Sequence, residues 1–211
     1  MSNSLADFLE KNIDWKHQVI ADVGASTGIF TILFEHWAEG TSEIHAFEPH
    51  PGNKFILLKK CWAVINLTLH DAVGIYDGEI GLSWGGKPAD WGTNAGTVPL
   101  SDPRQNIKVR CSRLQTTVPN VTVMKMDIEG YEHVVLSELR GLDHLHTIQV
   151  ELHNRGKGSI RKTVDHLISQ GFTEILEFRG RDIHTMDLDN VKPNIQIIAK
   201  RVAVDGWPAG L

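Results

Sequence analysis

Two stretches of this chain carry residue types at spacings that could do chemistry. The first is Ile20-Ala-Asp-Val-Gly-Ala-Ser-Thr-Gly-Ile-Phe30, an apolar segment that passes through glycines 24 and 28 into a second apolar segment. A strand that turns through glycines into a helix brings backbone N–H groups close to a ligand. Asp22, at the strand end, can accept hydrogen bonds from a ligand amine or hydroxyl. The spacing is Asp-x-Gly-x-x-x-Gly, not the Gly-x-Gly-x-x-Gly of dinucleotide enzymes, and no Lys-Ser/Thr follows to make a P-loop. The second stretch is Met124-Lys-Met-Asp-Ile-Glu-Gly-Tyr-Glu-His133, with three acids within six residues at a strand-to-helix junction. Glu129 and Glu132 suit the first turn of a helix, where negative charge is favourable. Asp127, at the strand end beside the ligand of the first loop, reads as functional.

The elements that must position these residues follow from periodicity. Residues 4–13 form an amphipathic helix with Leu5, Phe8, Leu9 and Ile13 on one face, a lid or packing helix ahead of the first strand. A second strand, Glu43–Glu48, ends in a carboxylate about 20 residues beyond the glycine loop, where α/β sheets that bind nucleosides grip ribose hydroxyls. A helix from Asn53 to Val64 turns Phe55, Leu58, Trp62 and Ile65 inward. The third strand, Leu67–His70, delivers Asp71-Ala72 to the same carboxyl edge, where Asp71 meets an adenine amine or caps a turn. Residues 73–84 read as a hairpin turning at Asp77-Gly78. Residues 85–103 have no period and read as a substrate-facing loop, with Trp84 and Trp91 as stacking platforms or core anchors. The strand 106–114 pairs back with the hairpin. Further strands at 121–126, 147–151, 173–178 and 194–200 and a helix at 159–170 closed by Gly171 complete the chain. Strands alternating with helices, without repeats or a linker, make a single α/β domain over residues 1–211 with a mostly parallel sheet.

Composition narrows the function. With 211 residues, 41% of them hydrophobic, the chain can bury a full core. Its net charge of −5 supplies no global basic field for nucleic acid or anionic lipid, and Arg104, Lys108, Arg110 and Arg113 read as a solvated strand face. Cys61 and Cys111 lie in apolar contexts without metal spacing and read as reduced buried thiols. No signal peptide or apolar run of membrane-spanning length is evident, so a cytoplasmic protein without a membrane partner is expected, with an oligomer compatible.

The glycine loop resembles the loop that holds S-adenosylmethionine (SAM) in class I methyltransferases. Asp22-Val-Gly-Ala-Ser-Thr-Gly28, Phe47-Glu-Pro-His-Pro51 and Lys125-Met-Asp-Ile-Glu-Gly-Tyr-Glu132, in this order, resemble the FkbM family of SAM-dependent methyltransferases. The resemblance covers roughly residues 18 to 153 and implies a Rossmann-like, seven-stranded sheet with helices on both faces. It implies methylation of a hydroxyl oxygen, often on a sugar or natural-product scaffold. By motif match Asp22, Gly24 and Gly28 would hold the methionine part of SAM and Glu48 its ribose, with Asp127, Glu129 and Glu132 on the reaction side. The full set of expected cofactor contacts is Asp22, Gly24, Ala25, Thr27, Gly28, Phe30, Glu48, Pro49, Asp71 and Ala72.

An alcohol nucleophile must lose a proton as it attacks the methyl group, and a carboxylate can take it. Alternatively a bound Mg²⁺ could lower the hydroxyl pKa. Asp127, Glu151, His153 and Asn154 lie at the ends of adjacent strands. They allow Asp127 as base, His153 as an alternative base, or a divalent ion on Asp127 and Glu151. Lys125 completes the expected catalytic set. Two other functions compete with a small-molecule or glycan O-methyltransferase. One is ribose 2′-O-methylation of RNA, which the acidic chain disfavours; the other is a non-catalytic SAM-binding module.

Overall fold

The computed structural model describes residues 5–83, 96–98, 100–103, 105–153, 159–179, 182–189 and 194–201. The elements run α1 (Leu5–Asn12), β1 (Val19–Val23), α2 (Ile29–Ala38), β2 (Glu43–Phe47), α3 (Pro51–Lys60) and β3 (Leu67–His70). Next come β4 (Ala72–Val73), β5 (Gly78–Ser83), β6 (Gly96–Val98), β7 (Ile107–Ser112), α4 (Leu114–Thr117) and β8 (Val123–Met126). The chain continues through α5 (Glu132–Ser137), β9 (Thr147–His153), α6 (Ile160–Ser169), β10 (Glu174–Arg179), β11 (Asp182–Thr185) and β12 (Asn194–Lys200).

The principal sheet is ordered β11-β10-β12-β9-β8-β1-β2-β3, the expected seven strands plus β11, an edge strand paired antiparallel to β10. β9, β8, β1, β2 and β3 are parallel, and β12 enters antiparallel between β9 and β10. Strand alternation divides the core. Ala21, Val23, Met124, Met126, Ile148 and Val150 pack with α5 and α6 residues such as Val135, Leu136, Val164 and Leu167. Ile20, Ile44, Val123 and Ile198 pack on the other face with Leu9, Trp15, Phe34 and Ala38. Phe34, fully buried, stacks on Trp15 at 4.9 Å between ring centroids.

Two expectations about elements need correction and one is narrowed. First, of the two roles expected for α1, lid or packing helix, it takes the packing one at the amino ends of the strands: the Trp15 indole donates to the Leu9 carbonyl, and Asn12 O accepts from Lys200, whose strand partner is Thr147 at the start of β9. Second, residues 73–84 are not a hairpin. β4 and β5 both pair with β7, which lies between them in a second sheet ordered β4-β7-β5-β6. Asp77 instead accepts a hydrogen bond from the Arg113 backbone N–H. That sheet includes β6, so the 85–103 segment is not wholly irregular; Trp84 and Trp91 lie outside the described residues. Third, α3 buries Asn53 and Leu57 and turns Phe55 and Leu58 to solvent, with Trp62 and Ile65 beyond it also exposed. Its continuous Phe-Ile-Leu-Leu run leaves the apolar face ambiguous, and close packing of Leu57 and Cys61 against Gly28 sets the phase.

The cap of α3 makes stability depend on pH. His50 Nδ1 accepts from the backbone N–H groups of Gly52 at 3.2 Å and Asn53 at 3.4 Å, which requires that nitrogen to be unprotonated. Burial holds the imidazole pKa below its ordinary value. A folded-state pKa below the unfolded one contributes stability that is present above about pH 6.5 and lost as pH falls toward the folded value. His50→Asn keeps an acceptor at the cap, so the acid limb of a plot of melting temperature against pH should become shallower. It should not vanish, because burial also lowers His70 and His146. An unchanged limb would remove the cap as a source of acid sensitivity.

Candidate active site

Strand register brings the chemistry to one edge. His70, Phe47, Val23, Met126 and Val150 are aligned across β3, β2, β1, β8 and β9. The residue after each therefore stands in one row at the carboxyl edge: Asp71, Glu48, Gly24, Asp127 and Glu151. Ligands of open α/β sheets bind outside this edge.

The glycine loop is held from both sides. The Phe47 carbonyl accepts from Gly24 N and Ala25 N, and Glu48 Oε2 accepts from Ser26 N at 2.8 Å. Glu48 Oε1 accepts from His50 N and Asn53 Nδ2. A carboxylate offers about four lone-pair sites, so Glu48 keeps acceptor capacity for a ribose hydroxyl. Burial, the largest influence, pushes its carboxyl pKa up, against the hydrogen bonds from His50, Asn53 and Ser26. Gly24 and Gly28 have left-handed φ values of 80° and 85°. A Cβ on Gly24 would lie 1.8 Å from the Asp127 carbonyl oxygen, and one on Gly28 2.7 Å from Cys61 Sγ. Gly24 is thus required by the close approach of the Asp127 backbone and Gly28 by the Cys61 and Leu57 side chains, as well as by the turn.

Asp22 and Lys125 differ from expectation. Alternation puts Asp22 on the same face as Ile20, toward α2 and away from the open edge. It is fully buried, and its Oδ2 accepts from Thr31 Oγ1 at 2.7 Å. Lys125 is 7% exposed, and its ammonium donates to the Gly24 carbonyl at 3.0 Å, lies 3.7 Å from Asp22 and sits over the Phe30 ring. Burial pushes the Asp22 carboxyl pKa up, opposed chiefly by Lys125. The pair therefore positions the loop from beneath. Both side chains are buried beneath the loop rather than exposed at the carboxyl edge.

Of the other expected cofactor residues, Thr27 and Pro49 are half-buried at the edge, while Ala25 and Ala72 are buried. Asp71 is ion-paired with Lys54 and keeps a partly exposed carboxylate.

The reaction side centres on a residue whose weight was not legible as first-turn charge. Glu132 is fully buried, and it accepts from Ile128 N at 2.9 Å, from Gly130 N and from His153 Nδ1 at 3.1 Å. It clamps the turn in which Glu129 and Gly130 both take positive φ. His133, also buried, bridges Thr163 and the His153 carbonyl. His153 Nε2 lies 3.6 Å from Glu151 and 3.9 Å from Glu129. Glu151 accepts from Gln196 through its other oxygen. Asn154 lies outside the described residues. Among the described residues, one group of three donor atoms converges, from Asp127, Glu129 and His153. An imidazole in the set does not suit Mg²⁺, which favours all-oxygen ligands.

This sheet order, with its glycine loop after β1 and a carboxylate after β2, defines a class I SAM-dependent methyltransferase fold. The sequence matches the family model for the methyltransferase FkbM domain over residues 22–183, more than half of the chain, and the chain belongs to that family. A methyltransferase FkbM from Methylobacillus flagellatus KT superposes with a TM-score of 0.63 at 16% identity, covering 94% of this chain and 48% of the other. The chain thus spans about half the length of that relative. A SAM-dependent O-methyltransferase from Thermotoga maritima gives 0.54 at 11% identity, covering 94% and 65%. A Streptococcus pneumoniae protein solved in complex with SAM gives 0.51 at 14%, covering 98% and 77%. At these identities the structural likeness concerns the fold. No curated protein matches the sequence. Among the described residues, no helix is long and apolar enough to cross a membrane.

Proposed function

We propose that this chain transfers the methyl group of SAM to a hydroxyl oxygen of a sugar, glycan or small natural-product acceptor. The observation that carries this reading is the row at the carboxyl edge. Glu48, beside the glycine loop on one side, stands ready for a nucleoside, and Asp127 and Glu151 on the other stand ready for a hydroxyl. The acceptor oxygen forms the new C–O bond as the sulfonium C–S bond breaks, leaving S-adenosylhomocysteine. The acceptor's proton passes to a carboxylate of the β8–β9 edge. Alignment of the two reactants can supply about 7–11 kcal/mol in well-oriented cases. We read the enzyme as cytoplasmic, from its two buried free thiols, and as acting without nucleic acid, from its charge of −5.

Calorimetric titration with S-adenosylhomocysteine, with NAD in a parallel cell, tests the reading. Micromolar binding of the homocysteine product is expected, and Glu48→Ala should weaken it about tenfold or more, the scale of a hydrogen bond to a charged group. Because the Glu48 pKa is raised, protonation should weaken binding at a pH above the ordinary glutamate range. Binding of NAD instead, or none of the product, would end the proposal. Turnover on free sugars or nucleosides that is indifferent to salt would set aside RNA as the acceptor.

A further inference from the structure

The acceptor side of the edge holds a convergence of atoms able to ligate a metal ion. One donor atom each from Asp127, Glu129 and His153 lie within 4.8 Å of one another. His153 is 6% exposed, and its Nδ1 faces Glu132, a carboxylate that can only accept. Nδ1 therefore carries a hydrogen, and in the neutral imidazole Nε2 then presents its lone pair to the cluster. There Nε2 meets no hydrogen-bond partner among the described residues: Glu151 Oε1 and Glu129 Oε2, at 3.6 and 3.9 Å, are themselves acceptors. Asp127 Oδ1 is buried and also lacks a partner among them. Lys125, two residues away, directs its ammonium to Gly24 O and Asp22. A buried imidazole lone pair turned toward carboxylate oxygens is repulsive until a cation, whether a proton on Nε2 or a metal ion, sits between them. Metal-binding histidines characteristically donate their other ring N–H to a carboxylate, the relation Glu132 has to His153.

We propose that Asp127, Glu129 and His153 bind one divalent transition-metal ion, of the Mn²⁺ or Zn²⁺ type, beside the methyl-transfer centre. One imidazole nitrogen with two carboxylate oxygens suits these ions better than Mg²⁺ or Ca²⁺. Three protein ligands leave positions open for an acceptor hydroxyl, whose pKa the ion lowers as it does that of water. Glu151, outside the set, is then the carboxylate that takes the proton. The ion's role in turnover rests on the methyltransferase reading; its binding does not.

The test is titration of the full chain, stripped with a chelator, with MnCl₂ while free Mn²⁺ is read by electron paramagnetic resonance. One Mn²⁺ per chain is expected, with Mg²⁺ weaker by about tenfold or more. His153→Gln and Asp127→Asn should each lower Mn²⁺ affinity by at least about tenfold, whereas Glu151→Gln, which removes a nearby charge but no ligand, should lower it less. Absence of stoichiometric Mn²⁺ binding by the native chain, or binding indifferent to both variants, overturns the site. The native titration stands even if a variant fails to fold. S-adenosylhomocysteine titrated into the same samples separates the two claims. Product binding without Mn²⁺ removes the metal and leaves the methyltransferase, and Mn²⁺ without product does the reverse.

Discussion

Gly24→Ala is expected to destabilise the protein by roughly 2–5 kcal/mol and to remove cofactor binding. A left-handed backbone costs a residue with a Cβ about 1–2 kcal/mol, and overpacking typically adds about 1–3 kcal/mol. The clash here is with backbone: the new carbon would lie 1.8 Å from the Asp127 carbonyl oxygen and 2.9 Å from its carbon. Neither strand can yield easily. Asp127 N is bonded to Val23 O and Gly24 N to Phe47 O, so β8, β1 and β2 would have to part together at the edge proposed to receive SAM. Gly141 is the natural control, since it too has positive φ, 67°, but a Cβ there would meet nothing within 4 Å. Gly141→Ala should therefore cost only the conformational part, about 1–2 kcal/mol. Urea unfolding of the two variants, with product titration of each, checks the contrast; equal losses would show that the close approach of Gly24 to β8 is not what matters.

Glu132→Ala should cost about 3 kcal/mol or more, because it leaves three buried donors unpaired at about 1–3 kcal/mol each. Truncation strips acceptors from Ile128 N, Gly130 N and His153 Nδ1 together, and each buried donor left unpaired carries its own desolvation penalty. The 128–130 turn, strained by the positive φ of Glu129, would lose its clamp. His153 would lose the partner that selects its tautomer, so turnover should fall even where the variant stays folded. Glu132→Gln keeps one oxygen that can accept these bonds and should recover most of the stability. Chemical denaturation alongside single-turnover methyl transfer separates the two effects. A Glu132→Ala protein as stable and active as the parent would reduce Glu132 to ordinary first-turn charge.

Much of the site was legible in the sequence because it depends on local grammar. A glycine-punctuated strand-to-helix turn announces itself at 24–28, and apolar runs ending in Glu48, Asp71 and Asp127 place carboxylates at strand ends. Parallel pairing then needs only aligned strands to set those residues in one row, as the registers of β1, β2, β3 and β8 do. Orientation across a strand was harder to see. Asp22 looks available at a strand end, yet a period of two turns it toward α2 with Ile20, and Lys125 on the neighbouring strand meets it there. The α3 run was ambiguous for the same reason, since four consecutive apolar residues favour no single face.

What the amino-acid sequence determined by itself was therefore the alternation of strands and helices, the glycine loop, the carboxylates at the carboxyl edge and the family they belong to. The tertiary structure decided what joins residues distant along the chain. β7 separates β4 from β5, Lys125 holds the loop of Gly24, and Glu132 meets His153 across 21 residues. Local preference extends over a few residues. Burial of polar groups is settled only when remote strands close around them and each must find a partner.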